Sequence, residues 1–434
     1  MTNARKDGLT LLFLGSLFLI VVAGVMENSP SGMGDFKATY YPTRCLLAHR
    51  DPYSASQVLA MFNSEGDPGK SFPALRWMVS HFNYPPTALL VLSPFASLPF
   101  QYSHLMFMCI SSGALLLAGV LIWDMAAPYA ATLSGALIGF VLMNSFGPIA
   151  TGNVIGICIG CSVVAVWSFL KKRFELTGVA CLALGLMLKP HVVGFVWLYF
   201  LLANGYRKRA LQTLGVVIIA GLMSVALVNS VSPHWLDELH TNLLLYSAPG
   251  GINDQGPTSA RMNQPSYIID LQTAISPFRD DPHFYNGVSY GVSGTLLLAW
   301  SFIVFRTHPS MKKSFLALAA IAPLTMLPVY HRTDDAELLL LAVPACTLLW
   351  SEGERLGWII AGVTFTGFLV TADIPWLILT NLLHHLPGPV GGLRGQFLIA
   401  SQMLPAPMVM LAEGVLFLWV YACHVWERAD GQLS

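Results

Sequence analysis

Charged side chains are scarce in this sequence. Only 11% of the 434 residues are Asp, Glu, Lys or Arg, whereas 55% are hydrophobic, and the mean hydropathy is +0.61. Soluble domains carry about 25% charged residues, so the composition excludes an ordinary soluble protein and predicts an all-α polytopic membrane protein. The 23 basic and 23 acidic side chains give a net charge of zero, which argues against a nucleic-acid partner.

Motifs that would indicate a cofactor are missing as well. The sequence contains no glycine-rich phosphate loop and no His-Glu-x-x-His motif, so nucleotide hydrolysis and metalloprotease chemistry are not expected. Carboxylates are not clustered in the predicted outer loops, and we therefore expect no obligatory divalent metal and no other cofactor. The pair Cys158 and Cys161 lies in an apolar run of small residues, which favours close helix packing over a redox or metal pair.

Long apolar runs dominate what is present. A membrane-spanning helix needs roughly 20 apolar residues. The predicted spans are residues 9–26, 104–123, 130–147, 154–170, 211–230, 290–305, 314–329, 336–350, 357–373 and 397–422, with two shorter runs at 177–188 and 192–204. Clusters of Lys and Arg mark the cytoplasmic side. If residues 177–204 cross twice and residues 85–100 re-enter, the chain forms one domain, 1–434, with about 12 crossings of this length class and both termini inside.

Two long loops then face outward from the inner (plasma) membrane, at residues 27–103 and 231–289. The shorter links 148–153, 330–335 and 374–396 face the same side. Loops longer than about 12–15 residues are usually functional. We therefore expect the long loops to contain short helices and to cover a cavity at membrane level, with the re-entrant segment inside the first loop.

The first of these loops opens with a candidate general base. Residues 34–41 read Gly-Asp-Phe-Lys-Ala-Thr-Tyr-Tyr and follow directly after the first span. A carboxylate beside paired tyrosines and cations at a membrane surface suits the deprotonation of a hydroxyl, which makes Asp35 the candidate base. The alternative is that Asp35 is an N-cap residue of a helix.

Two basic stretches are candidates for binding an anion. Lys189 and His191 lie between two apolar runs that are too short to span alone, so their tip is expected to be recessed. There the two side chains suit a phosphate that enters sideways from the bilayer. The alternative is a lysine that snorkels to the interface, with Pro190 as a plain turn.

The second basic stretch is the link Tyr-His-Arg-Thr-Asp-Asp at residues 330–335. One interpretation makes His331 and Arg332 a phosphate contact, with Asp334 or Asp335 orienting them. The alternative is a solvated turn with an internal Asp–Arg pair of little energetic value.

Three further polar stretches are candidates for local structure or for binding. Residues 83–86, Asn-Tyr-Pro-Pro, are predicted to form a rigid turn, and residues 151–153, Thr-Gly-Asn, to cap a span. In the second long loop, Arg261, Asn263 and Gln264 are candidates for binding a hydroxyl-rich ligand.

The order of these motifs is characteristic. An early Asp is followed by paired tyrosines, by Asp-Pro-Tyr at 51–53, Asn-Tyr-Pro-Pro at 83–86, Gly-Asn at 152–153, Lys-Pro-His at 189–191 and His-x-x-Asp at 331–334. In this order the chain resembles glycosyltransferase family 87, a family of polytopic GT-C-fold enzymes related to polyprenol-phosphate-mannose-dependent mannosyltransferases. The sequence departs from the family pattern at Pro42, at His49-Arg50 and at Asn153, and these departures concern the acceptor and the sugar more than the chemistry.

The resemblance implies a GT-C-like fold and a glycosyltransferase. It would move a sugar, mannose by the resemblance, from a polyprenyl-phosphate donor to a hydroxyl of a lipid or glycan acceptor, among membrane lipids at the outer face. By the resemblance Asp35 would be the catalytic base, and Lys189, His191 and His331 would lie near the donor phosphate. One base in line with the anomeric carbon predicts inversion, and the residues themselves add Arg332, Asp334, Tyr40 and Tyr41 to the predicted substrate-binding groups. Two alternatives remain open: a transporter or flippase of lipid-linked sugars, which would need charged groups at mid-membrane depth, and a pentosyl-type polyprenyl-phosphate transferase.

Overall fold

The computed structural model describes residues 2–26, 32–65, 73–258, 267–353, 355–384 and 392–430. Within these ranges the chain is helical, with no β-strand and one isolated bridge between Ile268 and Arg332. The prediction of an all-α protein is therefore confirmed. Arg261, Asn263 and Gln264 lie outside the described residues.

The helices follow one another with short connections. In chain order they are α1 (Asn3–Met26), α2 (Gly34–Leu47), α3 (Ala55–Glu65), α4 (Pro73–Ser80), α5 (Pro86–Ala96), α6 (Phe100–Met143), α7 (Phe146–Thr151), α8 (Ile155–Lys171), α9 (Glu175–Leu188), α10 (Pro190–Leu202), α11 (Arg207–Asn229), α12 (Trp235–Ser247), α13 (Leu271–Ile275), α14 (Pro282–Arg306), α15 (Met311–Thr325), a 3₁₀ helix (Thr333–Ala342), α16 (Val343–Ser351), α17 (Arg355–Thr371), α18 (Asp373–His384), α19 (Gly392–Met403) and α20 (Pro405–Asp430).

Several of these helices are long and apolar enough to cross a membrane. In the described ranges five pass this test, namely α1, α6 together with α7, α11, α14 and α20, and a sixth span results if α17 and α18 form one broken span bent by 55°. Four shorter apolar helices accompany them, α5, α8, α9 and α10. The chain is therefore a multi-pass membrane protein, whereas the count of about 12 crossings stays a prediction.

Helix α6 is two helices joined by a sharp break. Ala130 has non-helical backbone angles (φ −150°, ψ 84°), two residues after Pro128. A side chain at Gly119 would lie 3.1 Å from Leu142, although a straight helix would separate these residues by about 35 Å at 1.5 Å per residue. The chain therefore folds back near residue 130, as the two predicted spans 104–123 and 130–147 require.

Glycines allow α1 to pack directly on the second half of α6. A Cβ atom added at Gly135 would lie 2.1 Å from the carbonyl oxygen of Gly8, and one added at Gly15 would lie 2.2 Å from that of Gly139. Small residues permit such backbone contact between helices in a membrane. This contact fixes α1, which leads into the loop that carries Asp35.

The two long loops pack on each other. The first contains α2 to α5 and the second contains α12 and α13. The side-chain amide of Asn242 on α12 donates to the main-chain oxygens of Tyr53 (3.3 Å) and Phe82 (3.0 Å), and the Tyr246 hydroxyl donates to Met78 O (3.2 Å). These bonds join the second loop to the first, whereas a cap over a cavity at the outer face stays a prediction.

The segment 374–396 differs from its prediction. We expected a short link there, but helix α18 begins at Asp373 and continues to His384. Residues 374–383 are mostly apolar, and a chain that leaves α17 at Ala372 gains most by forming a second helix, because an apolar segment near lipid must satisfy its backbone internally.

A short extended pairing holds the link after α15. The main-chain N–H of Ile269 donates to His331 O (3.0 Å), and that of Thr333 donates to Tyr267 O (2.9 Å). This pairing fixes the backbone at His331 and Arg332, so the second long loop positions two of the predicted binding residues.

Candidate active site

A cavity of about 380 Å³ lies between α2, the start of α5, the junction of α9 and α10, helix α12 and the link at 329–335. Four of the side chains that the sequence analysis selected line it: Asp35, Lys189, His191 and Arg332. These residues are distributed over almost 300 positions of the chain. The fold therefore brings these four groups, together with the Asp335 carboxylate, to the wall of one cavity.

Asp35 lies in the first turn of α2 and is half-buried. Its Oδ2 atom accepts hydrogen bonds from the Thr151 hydroxyl (3.2 Å) and from the Asn153 side-chain amide (2.9 Å). The N-cap position is occupied by Met33 (φ 56°) instead, so the capping alternative for Asp35 is wrong. Within the described part of the chain Oδ1 accepts no hydrogen bond, which leaves this oxygen available to take a proton.

Asn153 forms hydrogen bonds both with the start of α8 and with Asp35. Its Oδ1 atom accepts from the main-chain N–H of Ile155 (3.1 Å) at the start of α8, while its Nδ2 atom donates to Asp35. Gly152 before it has φ +73°, and a Cβ there would lie 2.5 Å from Phe36 on α2. Asn153 thus satisfies a main-chain N–H at the start of α8, although Val154 occupies the N-cap position. The close approach that glycine permits adds the contact with Asp35, which the sequence did not predict.

Lys189 forms a buried ion pair with Asp335. The distance from Nζ to Oδ1 is 2.8 Å, and the two side chains are 9% and 3% exposed. The other carboxylate oxygen, Oδ2, accepts from the main-chain N–H of Arg332 (3.1 Å). Burial alone would raise the pKa of Asp335, but the Lys189 ammonium, followed by the His331 and His191 rings, holds it below its ordinary value. The snorkelling alternative for Lys189 is therefore wrong.

Arg332 contacts the ion pair through its main-chain N–H, which donates to Asp335. Its Nη2 donates to Ile252 O (3.2 Å), and its buried Nε has no hydrogen-bond partner among the described residues. The guanidinium is close enough to Asp35 and Asp334 to attract both carboxylates. Arg332 thus offers an unused donor next to the candidate base.

Asp334 does not line the large cavity. It lines a neighbouring space of about 20 Å³ together with the acids Glu337 and Asp373. Burial, and then the negative charge of Asp35, raise the pKa of Asp334 to about 6. Of the two aspartates in the 330–335 link, Asp335 is the one that orients the basic groups, and Asp334 borders the acidic side of the site.

His331 lies behind the cavity wall. It is fully buried, its Nδ1 atom is 2.8 Å from Val329 O, and its ring is 5.1 Å from that of His191, centroid to centroid. The link 330–335 is therefore not the solvated turn of the alternative interpretation. The His331 ring lies behind the ring of His191, and His191 lines the cavity.

Tyr40 and Tyr41 lie elsewhere. Both are 2% exposed and pack in an aromatic cluster around Phe100, and the Tyr40 hydroxyl donates to Leu98 O (2.7 Å). On a helix, a residue five positions after Asp35 points to the far side, whereas Ala38, three positions on, shares its face and lines the cavity. The tyrosines therefore anchor α2 and do not line the cavity.

The cavity has further lining residues to which the sequence analysis assigned no role. Tyr246 and Asn253 come from the second long loop, while Tyr84 and Tyr330 lie within the stretches 83–86 and 330–335 that it named. Tyrosine and asparagine are common throughout both loops, so no sequence signal distinguished Tyr246 and Asn253 from their neighbours.

The buried ion pair yields a prediction about stability. Lys189→Met should lower the free energy of unfolding by about 3–5 kcal/mol, because it leaves the Asp335 carboxylate buried without its partner. The double variant Lys189→Met/Asp335→Leu should recover a large part of this loss. Unfolding of the detergent-solubilised protein by heat or denaturant measures both. Losses that simply add in the double variant would show that the two side chains do not interact.

Comparison with known proteins identifies the family. The model of glycosyltransferase family 87 matches residues 82–329, more than half of the chain. Lys189 and His191 lie within the match, whereas Asp35 precedes it and His331 follows it by two positions. No curated protein and no solved structure matches the chain. With its helical, multi-pass architecture and its match to this family, the chain belongs to glycosyltransferase family 87 and is a membrane glycosyltransferase.

Proposed function

We propose that the protein transfers a sugar from a polyprenyl-phosphate donor to a hydroxyl of a lipid or glycan acceptor, with Asp35 as the general base. The observation that carries this proposal is the large cavity, which Asp35 lines together with Lys189, His191 and Arg332. A base and cationic groups in one cavity match a reaction in which a proton is lost and a phosphate departs.

The positive groups suit the leaving group. A polyprenyl phosphate gains negative charge on its phosphate as the bond to the sugar breaks, and preorganised cations stabilise such charge best where water is excluded. Arg332 contributes a buried Nε without a partner in the described ranges. The charge of Lys189 is already neutralised by Asp335. Lys189 therefore contributes by fixing the cavity wall and by donating a further hydrogen bond from its ammonium group to the phosphate.

The proposed reaction is a single displacement. The acceptor hydroxyl loses its proton to Asp35 while its oxygen forms a bond to the anomeric carbon. The bond from that carbon to the phosphate oxygen breaks, and its electron pair leaves with the polyprenyl phosphate. Attack opposite the leaving group inverts the anomeric configuration. Thr151 and Asn153 hold Oδ2, which aims the carboxylate and leaves Oδ1 for the proton.

The remaining parts of the proposal concern placement and substrate. We infer a GT-C-like arrangement with about 12 crossings, with the cavity at the extracytoplasmic side of the inner membrane and loops 27–103 and 231–289 covering it. Mannose is the proposed sugar, because the related enzymes implied by the motif order use it. Asp334 is placed at the acceptor side, since its acidic surroundings disfavour a phosphate.

A panel of donors tests the proposal directly. Purified protein is incubated with polyprenyl-phosphate mannose, glucose and pentose together with a membrane-lipid extract, and released polyprenyl phosphate is quantified. We expect release with at least one donor, and greatest with mannose. Sugar nucleotides replace the lipid donors in a parallel arm, and transfer from these alone would overturn the lipid-phosphate dependence.

Asp35→Asn should abolish transfer while leaving folding and donor binding intact. The amide keeps the size and the hydrogen-bonding position but cannot accept the proton, so we expect kcat to fall by about 10²–10⁴-fold. Asp237→Asn, at an exposed position of α12, is the matched control and should retain normal turnover. Near-normal kcat in the Asp35 variant would remove this residue from the mechanism.

His331→Ala should chiefly impair use of the donor. Its ring supports His191 at the cavity wall, so we expect a severalfold higher donor KM and a smaller change in the acceptor KM. His240→Ala, at an exposed position of α12, serves as the control. A donor KM equal to that of the wild type in the folded variant would argue against any role of His331 in phosphate binding.

A further inference from the structure

Two histidines and one aspartate meet at one end of the cavity. His191 begins α10, while His331 and Asp335 flank the start of the 3₁₀ helix. One ring nitrogen or carboxylate oxygen from each of these three side chains lies within 4.8 Å of the other two. His191 and Asp335 also line the cavity, so this group borders the space assigned to the donor.

The hydrogen bonding of His331 leaves a buried lone pair. Its Nδ1 atom lies 2.8 Å from Val329 O, and because a carbonyl only accepts, Nδ1 carries the proton. The Nε2 atom of the neutral ring is then an acceptor. It is buried and has no hydrogen-bond partner among the described residues. In the neutral ring this lone pair neighbours the carbonyl of His191, which is also an acceptor and cannot satisfy it, so the lone pair remains open to a metal cation.

We propose that His191, His331 and Asp335 bind a divalent transition-metal ion, best matched by Zn²⁺, with an open coordination position toward the cavity. Two imidazoles and one carboxylate are typical ligands of catalytic zinc, whereas Mg²⁺ and Ca²⁺ prefer oxygen ligands. Ligands about 2.0–2.1 Å from a tetrahedral ion lie about 3.4 Å apart. The exposed His191 side chain can move inward to reach this spacing.

The ion pair of Lys189 is compatible with this site. Each carboxylate oxygen has two lone pairs, and in Asp335 one on Oδ1 is used by Lys189 (2.8 Å) and one on Oδ2 by the main-chain N–H of Arg332 (3.1 Å). A lone pair is left for the ion. The nearby ammonium repels a cation, however, so the ion binds more tightly when an anion occupies the cavity.

This consequence rests on the proposed function, because the anion is the phosphate of the donor. A bound metal ion would act as a Lewis acid toward the phosphate oxygen. His191 and His331 would then contribute to donor binding by holding the ion. Metal and phosphate raise each other's affinity by the same factor, since coupling between two ligands is reciprocal. The sequence predicted no obligatory metal because its outer loops lack clustered carboxylates. This group was not covered by that argument, since it combines two histidines with one acid.

Zinc binding to the full-length protein tests the inference. The chain is purified in detergent with an affinity tag that lacks histidine, stripped with a chelator and titrated with Zn²⁺ by equilibrium dialysis or calorimetry. We expect one Zn²⁺ per chain, and Kd at least tenfold weaker in His191→Gln and in His331→Gln. His240→Gln, the matched control on exposed α12, should leave Kd unchanged, and inorganic phosphate should tighten binding to the wild type.

His191→Gln is the decisive variant, because its side chain is exposed and the substitution spares the core; circular dichroism and thermal unfolding verify both folds. Absence of stoichiometric Zn²⁺, or unchanged affinity in folded His191→Gln, overturns the inference. Donor turnover by the metal-free protein distinguishes failure of the metal-site inference from failure of the proposed function. If the metal-free wild type shows full turnover and Asp35→Asn is inactive, the metal has no catalytic role and the proposed function stands. If zinc binds as expected but no lipid donor is used, the proposed function is wrong and the metal site stands.

Discussion

The buried contact between Lys189 and Asp335 joins two parts of the chain that are 146 positions apart. Lys189 stands at the break between α9 and α10, and Asp335 lies in the first turn of the 3₁₀ helix. A charged group at this depth is costly without a partner, and removing one partner from a buried pair costs several times what an exposed pair contributes. The pair therefore fixes the relative position of the two stretches that carry the basic groups, and the cavity forms between them.

The two cavities of this site differ in their charged groups. Lys189, His191 and Arg332 border the large cavity together with Asp35 and Asp335, whereas Asp334, Glu337 and Asp373 surround the small one. The charged side chains that line the small cavity are all acidic, so it disfavours an anionic phosphate. In the proposed reaction the donor phosphate therefore belongs in the large cavity.

Packing outside the cavity determines how accurately Asp35 is held. Glycine contacts set α1 against α6, the tyrosines of α2 anchor that helix in an aromatic cluster, and Gly152 lets the end of α7 approach Phe36 closely enough for Asn153 to reach the carboxylate. Each of these contacts joins residues distant in sequence. The position of the acid is thus a property of several helices rather than of its own loop.

Composition and long apolar runs were sufficient to predict an all-α membrane protein and the fold-back near residue 130, because the bilayer demands long apolar helices whatever their partners are. The motif order also led to the family and to Asp35, Lys189, His191 and Arg332. Sequence could not decide whether Asp35 is an N-cap residue, which of Asp334 and Asp335 orients the neighbouring basic groups, or whether Tyr40 and Tyr41 face the cavity. These outcomes depend on side chains that other helices bring into contact, and a residue's own neighbours in the chain carry no record of which distant group will satisfy its charge or hydrogen bonds.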